Sequence, residues 1–217
     1  MSGKVTHHKG TGVFPVVTAL KAHPRGPQSV PAALRDYLTR SMVATEWYPQ
    51  ADLDALMQCL ADVLEREGMR DVWDYFGRTA AQRDLKGSQA AIPTERRVKT
   101  AGLYRPFAGD EVTIATLFNR MGKLWTLYHD AGRVLAWRTA SDEARVIVRL
   151  LDYHLADAKL ARMLLAYSCE YGRILGIEIT GRVVRITGEG APFNEWEYSC
   201  EATRQNLESL ALLPLLP

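Results

Sequence analysis

Histidines close to carboxylates are the residues in this chain whose types and spacing suit acid–base chemistry. Tyr128, His129 and Asp130 are consecutive at the predicted end of a helix, where a histidine can act as a general base and an aspartate can orient it. Neighbouring helical side chains point about 100° apart, so a polar helix end is the preferred interpretation. His154 also has aspartates close by in the sequence, but a structural role is preferred. An enzyme with His129 or His154 as its base is the least favoured of three hypotheses.

No metal site or cofactor is predicted. His7 and His8 are adjacent near the N-terminus, but no further ligands follow them at a recognisable spacing. The sequence has no G-x-S-x-G, P-loop or H-E-x-x-H motif. The cysteines are far apart and form no CxxC pair: Cys59, Cys169 and Cys200.

Aromatic side chains suggest a pocket for a small hydrophobic ligand. The candidate pocket residues are Trp125, Tyr128, His129, Tyr167 and Trp196. They are predicted on elements that pack together, and aromatic rings are common in ligand pockets. Aromatic residues at helical spacing are more often part of a filled core, and both interpretations stay open.

The composition is that of an ordinary globular protein. The chain has 217 residues, 47% hydrophobic and 24% charged, with a net charge of +2. This even balance gives no reason to predict binding to nucleic acid or to a membrane surface. No apolar run reaches the roughly 18 residues that a membrane helix needs. The polar N-terminus lacks the apolar core of a secretion signal, so a cytoplasmic location is predicted.

The apolar pattern predicts helices followed by a sheet. Residues 110–130 have apolar side chains at steps of three and four, typical of a central helix with one buried face, and Gly132 suits its end. Earlier helices are predicted at 16–22, from Ser29 until Trp47-Tyr48-Pro49 breaks the pattern, and at 50–67 and 71–85. Period-two segments after Gly132 predict two hairpins, with a helix capped by Asp157 between them. This order predicts an α+β fold, in which several N-terminal helices and a long central helix pack on an antiparallel sheet built from two C-terminal hairpins.

One domain is predicted over residues 13–202. A flexible N-terminus at 1–12 precedes it, and a Leu/Pro-rich tail at 203–217 follows it. Residues 86–100 have no sustained period, which predicts a surface loop. The basic side chains in this loop suit an acidic partner, although a solvated loop is the preferred interpretation: Arg96, Arg97 and Lys99.

The closing strand, 193–200, supplies two more candidate interaction residues, Phe193 and Trp196. An unpaired edge strand exposes backbone groups that can pair with another chain. If this strand is such an edge, a homodimer is expected to form through it.

Several short motifs occur in an order that resembles a bacterial protein family of similar length. They are Lys9-Gly10, Glu46-Trp47-Tyr48-Pro49, Phe76-Gly77-Arg78 and Leu124-Trp125-x-x-Tyr128-x-Asp130-x-Gly132. That family is similar to the superfamily of the 4-vinyl reductase domain, the haem-NO/oxygen-binding (H-NOX) domain and the transport-particle (TRAPP) subunits. The resemblance covers residues 9–200. It implies an α+β fold, often a homodimer, and small-molecule sensing or scaffolding rather than catalysis.

Two departures from the family pattern bear on cofactors. Related domains carry two cysteines around a Gly-x-Pro-like turn, whereas Ile186 and Asn194 flank the turn Gly190-Ala191-Pro192 here. Haem-binding relatives carry a Tyr-x-Ser-x-Arg motif, which this chain lacks. The resemblance therefore implies neither zinc or thiol chemistry nor haem.

The preferred hypothesis is a non-enzymatic, cytoplasmic regulatory or scaffold module that acts through a protein partner. The alternative is a small-molecule-sensing domain with an aromatic pocket. A filled interior would favour the first hypothesis. A cavity of several hundred cubic ångströms with converging polar groups would favour the second.

Overall fold

The structure is a computed structural model that describes residues 5–84, 112–140 and 144–217. The chain divides into two compact units. The first contains residues 5–72 and 126–131, and the second contains the other described residues.

Two predicted features lie outside the described residues. One is the surface loop at 86–100 with Arg96, Arg97 and Lys99, and the other is the hairpin turn at 141–143. Both stay predictions.

The first unit is mainly helical. Its helices are α1 (Gly10–Ala22), α2 (Gly26–Ser29), α3 (Asp36–Thr39) and α4 (Gln50–Arg66), and a 3-10 turn spans Ala32–Leu34. Two short antiparallel strands, β1 (His7–Lys9) and β2 (Trp47–Pro49), pair with each other. The apolar stripe of α4 is buried as its spacing predicts, with Leu56 fully inaccessible.

Helix α1 begins at Gly10, six residues before the predicted start at Val16. The N–H groups of Gly10 and Thr11 donate to the carbonyls of Glu46 (2.9 Å) and Ala44 (3.0 Å). Because the first N–H groups of a helix have no partner within it, these bonds to a distant segment stabilise the early start. Residues 7–12, predicted to be flexible, are strand and helix here.

The segment after Ser29 does not form the continuous helix that the sequence predicts. Val30 has extended backbone angles (φ −80°, ψ 123°) because a residue before proline avoids helical geometry, and Pro31 follows it. Between Pro31 and Trp47, the helical structure consists of the 3-10 turn and the four-residue α3. The prediction of one long helix here is therefore wrong.

The second unit contains an antiparallel sheet and its helices. The remaining helices of the described chain are α5 (Val72–Gln82), α6 (Ile114–Tyr128), α7 (Ala158–Ile174) and α8 (Arg204–Leu210). The strands are β3 (Arg133–Arg138), β4 (Arg145–Leu151), β5 (Ile179–Arg185) and β6 (Asn194–Cys200). Their spatial order is β3-β4-β6-β5. The predicted α+β class, with an antiparallel sheet from two C-terminal hairpins, is confirmed.

One face of this sheet is apolar and lies under helices. Trp196 is 4% exposed, and its indole N–H donates to the Ala161 carbonyl of α7 (3.0 Å). The ring of Phe118 in α6 lies 5.2 Å from that of Tyr198. Successive side chains of a strand alternate between the two faces of the sheet. Glu197, between Trp196 and Tyr198 in β6, therefore belongs to the opposite face.

The opposite face is charged. Four arginines of β4 and β5 lie on it, and we call it the arginine face: Arg145 and Arg149 of β4, and Arg182 and Arg185 of β5. Glu195 and Glu197 of β6 lie between the two strands that carry them. Strand β6 is thus paired on both sides, so the condition for dimer formation through it as an unpaired edge is not met.

The C-terminal residues pack against the second unit. Leu210 and Leu213 are 4% and 3% exposed. The Arg138 N–H donates to the Pro214 carbonyl (2.9 Å), and the Leu216 N–H donates to the Arg138 carbonyl (3.0 Å). The end of the chain therefore extends the edge of the sheet at β3.

No helix in the described part of the chain is both long enough and apolar enough to cross a bilayer.

Candidate ligand-binding site

A cavity of about 530 Å³ lies in the second unit, where β5 begins and β6 ends. We call it the end-of-sheet cavity. Its apolar lining includes Val112, Ile114 and Ile177. Most of its described lining residues are polar: Thr113, Glu178, Thr180, Ser199, Cys200, Glu201, Gln205, Asn206 and Ser209.

The end of α7 positions one wall of the cavity. Gly176 has a left-handed backbone (φ +82°), and the Ile177 N–H donates back to the Gly172 carbonyl (2.9 Å). This sharp helix end directs the chain into β5, where Ile179 lies opposite Cys200 and Thr180 opposite Ser199. Glu178, between this helix end and β5, is thereby placed in the lining of the cavity.

The start of α8 positions the other wall. The Thr203 side chain accepts the Asn206 N–H (3.2 Å) and caps this helix. The Asn206 side-chain amide donates to the Glu201 carbonyl (2.8 Å), which fixes the turn between β6 and α8. One turn further along α8, the buried Ser209 hydroxyl accepts the Ala115 N–H of α6 (3.1 Å). Three elements distant in sequence thus form one site.

Two carboxylates give the cavity its charge. Glu178 and Glu201 both line it, and neither forms an ion pair with another described residue. No lysine or arginine is among its described lining residues. Hydroxyl and amide groups complete a lining that is rich in hydrogen-bond acceptors.

Cys200 is the cysteine among the described lining residues of the cavity. Its Sγ lies 3.7 Å from the Ala144 carbonyl oxygen, and burial raises the pKa of the thiol. A raised pKa keeps the thiol protonated at neutral pH, and the thiolate is the reactive form. The raised pKa therefore favours a binding role over covalent chemistry at Cys200.

Three of the residues predicted to line an aromatic pocket lie in the second unit, and each of them contacts different residues there. Trp125 contacts Tyr153 edge-to-face, with ring centroids 4.9 Å apart. Tyr167 stacks on Tyr171 (5.8 Å) and donates to the Asp84 carboxylate (3.2 Å). Trp196 lies under α7 as described above. None of the three lines the end-of-sheet cavity, so the predicted aromatic pocket stays a prediction.

Tyr128 and His129 belong to the first unit, where they meet the N-terminal strand. The ring of His8 lies 5.8 Å from that of Tyr128 and 4.6 Å from that of His129. His7 Nδ1 lies 2.7 Å from the carboxylate of Asp130, and its backbone N–H donates to the same side chain (2.7 Å). Burial, and then the neighbouring His8, lower the pKa of His129 well below its usual value, so the ring is neutral at pH 7.

Across the described ranges, no three His, Cys, Asp or Glu side chains are grouped as ligands of one ion. His154, the other histidine considered as a base, is exposed beyond the end of β4.

Phe193 lies beside the arginine face. Its ring is 4.6 Å from the guanidinium of Arg149 and 5.5 Å from that of Arg185. Trp196, the other candidate interaction residue predicted in the closing strand, is buried on the opposite face of the sheet.

The residues of the end-of-sheet cavity were missed in the sequence. None of them is among the candidate site residues that the sequence predicts, and residues beyond 202 are predicted only as a tail. Only the pairing of β5 with β6 and the packing of α8 bring Glu178, Glu201 and Gln205 together.

Comparisons with known proteins establish the fold. No family model matches the chain, and no curated protein matches its sequence. Among solved structures, a variant of the T. Tengcongensis H-NOX has a TM-score of 0.54 at 16% identity, covering 89% of this chain and 97% of that one. A Cs H-NOX variant has a TM-score of 0.57 at 16% identity, covering 89% and 96%. An oxygen-binding H-NOX domain related to soluble guanylate cyclases has a TM-score of 0.51 at 15% identity, covering 89% and 95%. At these identities the similarity establishes an H-NOX-like fold.

Proposed function

We propose that this protein is a small-molecule-sensing domain whose ligand binds in the end-of-sheet cavity. The observation that carries this proposal is a cavity of about 530 Å³ with converging polar groups and two carboxylates. Its volume is in the range of ligand pockets. The fold supports the proposal, because an H-NOX domain with the same fold binds oxygen.

The lining indicates the chemistry of the ligand. Glu178 and Glu201 favour a positive charge, since no basic residue in the described part of the lining neutralises them. The acceptor oxygens of Thr180 and Ser199 suit hydrogen-bond donors, and Ile177 can contact a carbon chain. We therefore propose an aliphatic amine or a similar small cation, in place of the hydrophobic ligand that the aromatic residues suggested.

Haem, which the H-NOX neighbours hold, does not fit this cavity. A haem iron needs an axial ligand such as histidine or a thiolate. The described lining contains no histidine, and burial keeps the Cys200 thiol protonated. Glu178 and Glu201 would also repel the propionates of the porphyrin. The sensing role is therefore proposed without haem.

Native mass spectrometry of the purified protein tests the proposal. We expect additional mass that is lost on denaturation, or a 1:1 complex after addition of an aliphatic amine such as spermidine. Titration calorimetry with spermidine then gives the affinity. A protein that carries no extra mass and binds no member of a set of small amines would contradict the proposal.

A paired variant tests the site. E178Q/E201Q removes both cavity charges and keeps the size of the side chains, so we expect spermidine affinity to fall about tenfold. E65Q/E189Q removes the same charge from exposed positions outside the cavity and serves as the control. Equal losses in the two variants would show that binding depends on net charge and not on this site.

A regulatory role through a protein partner is the second candidate function. The observation that favours it is the exposed arginine face. A non-enzymatic role, a homodimer, a bacterial origin and a relationship to the 4-vinyl reductase or transport-particle families are proposals that rest on the sequence resemblance. A cytoplasmic location is a proposal that rests on the polar N-terminus.

A further inference from the structure

The arginine face has a regular arrangement of charge. Two rows of side chains cross the sheet, and each has a glutamate at its centre. One row contains Leu135, Arg149, Glu195 and Arg185, and the other contains Trp137, Ile147, Glu197 and Arg182. Because the two glutamates are two residues apart on one strand, the rows are separated by about 7 Å.

Each glutamate is shared by two arginines. Glu195 accepts from Arg149 through one carboxylate oxygen (2.6 Å) and pairs with Arg185 through the other (3.3 Å). The Glu195 side chain is only 6% exposed, so this carboxylate is largely enclosed by its partners. In the second row, Glu197 pairs with Arg182 (3.0 Å) and with Arg145 (3.5 Å).

This sharing leaves positive charge on the surface. Arg149 and Arg185 share one glutamate, Glu195, so their row has an excess of one positive charge. The side chains of Arg182 and Arg185 are 70% and 48% exposed. Each contacts its glutamate through one terminal nitrogen, and a guanidinium has five N–H donors, so both can donate to a further acceptor.

Apolar side chains complete the same face. Leu135 of β3 is 39% exposed and lies in the row of Arg185. Trp137, in the row of Arg182, contacts the guanidinium of Arg149 (5.3 Å). Arginine and aromatic residues are the types enriched in protein–protein interfaces.

We propose that the arginine face binds an extended acidic segment of a partner protein. Alternate residues of an extended chain lie about 7 Å apart on one side, which equals the separation of the two rows. Carboxylates at alternate positions can therefore meet Arg185 and Arg182 in turn. None of the four arginines lines the cavity, and the proposal does not depend on the proposed ligand.

The same observations disfavour two other occupants. Single-stranded nucleic acid binds through free aromatic faces on which bases stack, whereas Arg149 lies over the rings of both Trp137 and Phe193. A second copy of the chain would bring one excess of positive charge against another, which is repulsive.

A fluorescence-anisotropy titration of the whole chain tests this inference. The probe is a labelled peptide in which glutamate alternates with threonine, and the control probe has glutamine in place of glutamate. We expect binding of the acidic peptide only, with an affinity that falls as salt is added. Absence of binding to the acidic peptide at low salt would overturn the inference.

Variants identify the surface. R182Q/R185Q leaves Glu195 with Arg149 and Glu197 with Arg145, so the sheet retains its internal pairs, and we expect about a tenfold loss of peptide affinity. R66Q/R204Q removes the same charge from exposed helical positions and should leave the affinity unchanged. Equal losses in both variants would overturn the assignment to this face. So would tighter binding of oligo-dT than of the acidic peptide, or a dimer in sedimentation that R182Q/R185Q dissociates.

Discussion

At the residue scale, Asn194 shows how one buried side chain can join three chain segments. It is 0% exposed. Its Oδ1 accepts the N–H (2.9 Å) and the hydroxyl (3.1 Å) of Thr187, and its Nδ2 donates to the Tyr153 carbonyl (2.8 Å). The segment after β4 and the turn before β6 are thereby held together.

We expect Asn194→Ala to lower the free energy of unfolding by about 2–3 kcal/mol. The reason is that the substitution leaves buried donors and an acceptor without partners. Urea unfolding followed by circular dichroism measures the change. Asn206→Ala is the control, because Asn206 is less buried, and a smaller loss is expected. An equal effect of both substitutions would contradict the role assigned to Asn194.

At the scale of elements, the crossing of α5 and α7 depends on a glycine. A Cβ added to Gly77 would overlap the Met163 carbonyl oxygen and would lie 2.8 Å from the Tyr167 nitrogen and 2.9 Å from the Ala166 Cβ. These atoms are mainly backbone of α7, which cannot move aside as a flexible side chain can. Across the same pair of helices, Arg162 forms an ion pair with Asp74 (2.6 Å).

Gly77→Ala is therefore expected to destabilise the second unit by about 1–3 kcal/mol, as other overpacking substitutions do. This outcome opposes intrinsic helix propensity, which favours alanine over glycine by about 1 kcal/mol. Thermal unfolding measures the difference. Arg78→Ala, at the exposed neighbouring position, should change stability by less than about 0.5 kcal/mol. A stabilising Gly77→Ala would show that the two helices are not in contact at this point.

At the scale of the whole molecule, His129 is expected to make stability depend on pH. Its pKa is lower in the folded chain than in the unfolded chain, chiefly because of burial and then because of His8. Below the unfolded value of about 6.5, the unfolded state therefore binds more protons than the folded state. Stability is fully present above that pH and is lost as the pH falls below it.

We expect the free energy of unfolding to fall by up to about 1.4 kcal/mol per pH unit below pH 6.5 through this histidine. Urea titrations between pH 7 and pH 5 measure the slope. His129→Asn should reduce this slope. A titration of His129 by NMR at or above pH 6.5 would contradict the assignment.

Much of the fold could be predicted from local patterns. The apolar stripe of α4 and the spacing in α6 identify these helices, because one buried face requires a period of 3.6. Asp157 was predicted to cap α7, and its carboxylate accepts the N–H groups of Lys159 (2.7 Å) and Leu160 (3.2 Å). These features depend on residues close together in the chain.

Tertiary structure alone decided the rest. Helix α1 begins early because Gly10 and Thr11 donate to a segment more than 30 residues away. The end-of-sheet cavity requires the pairing of β5 with β6 and the packing of α8, and the arginine face requires the register of three strands. A sequence determines local period and capping because these depend on adjacent residues. It does not by itself give the distances between remote segments, and those distances determine both candidate binding surfaces of this protein.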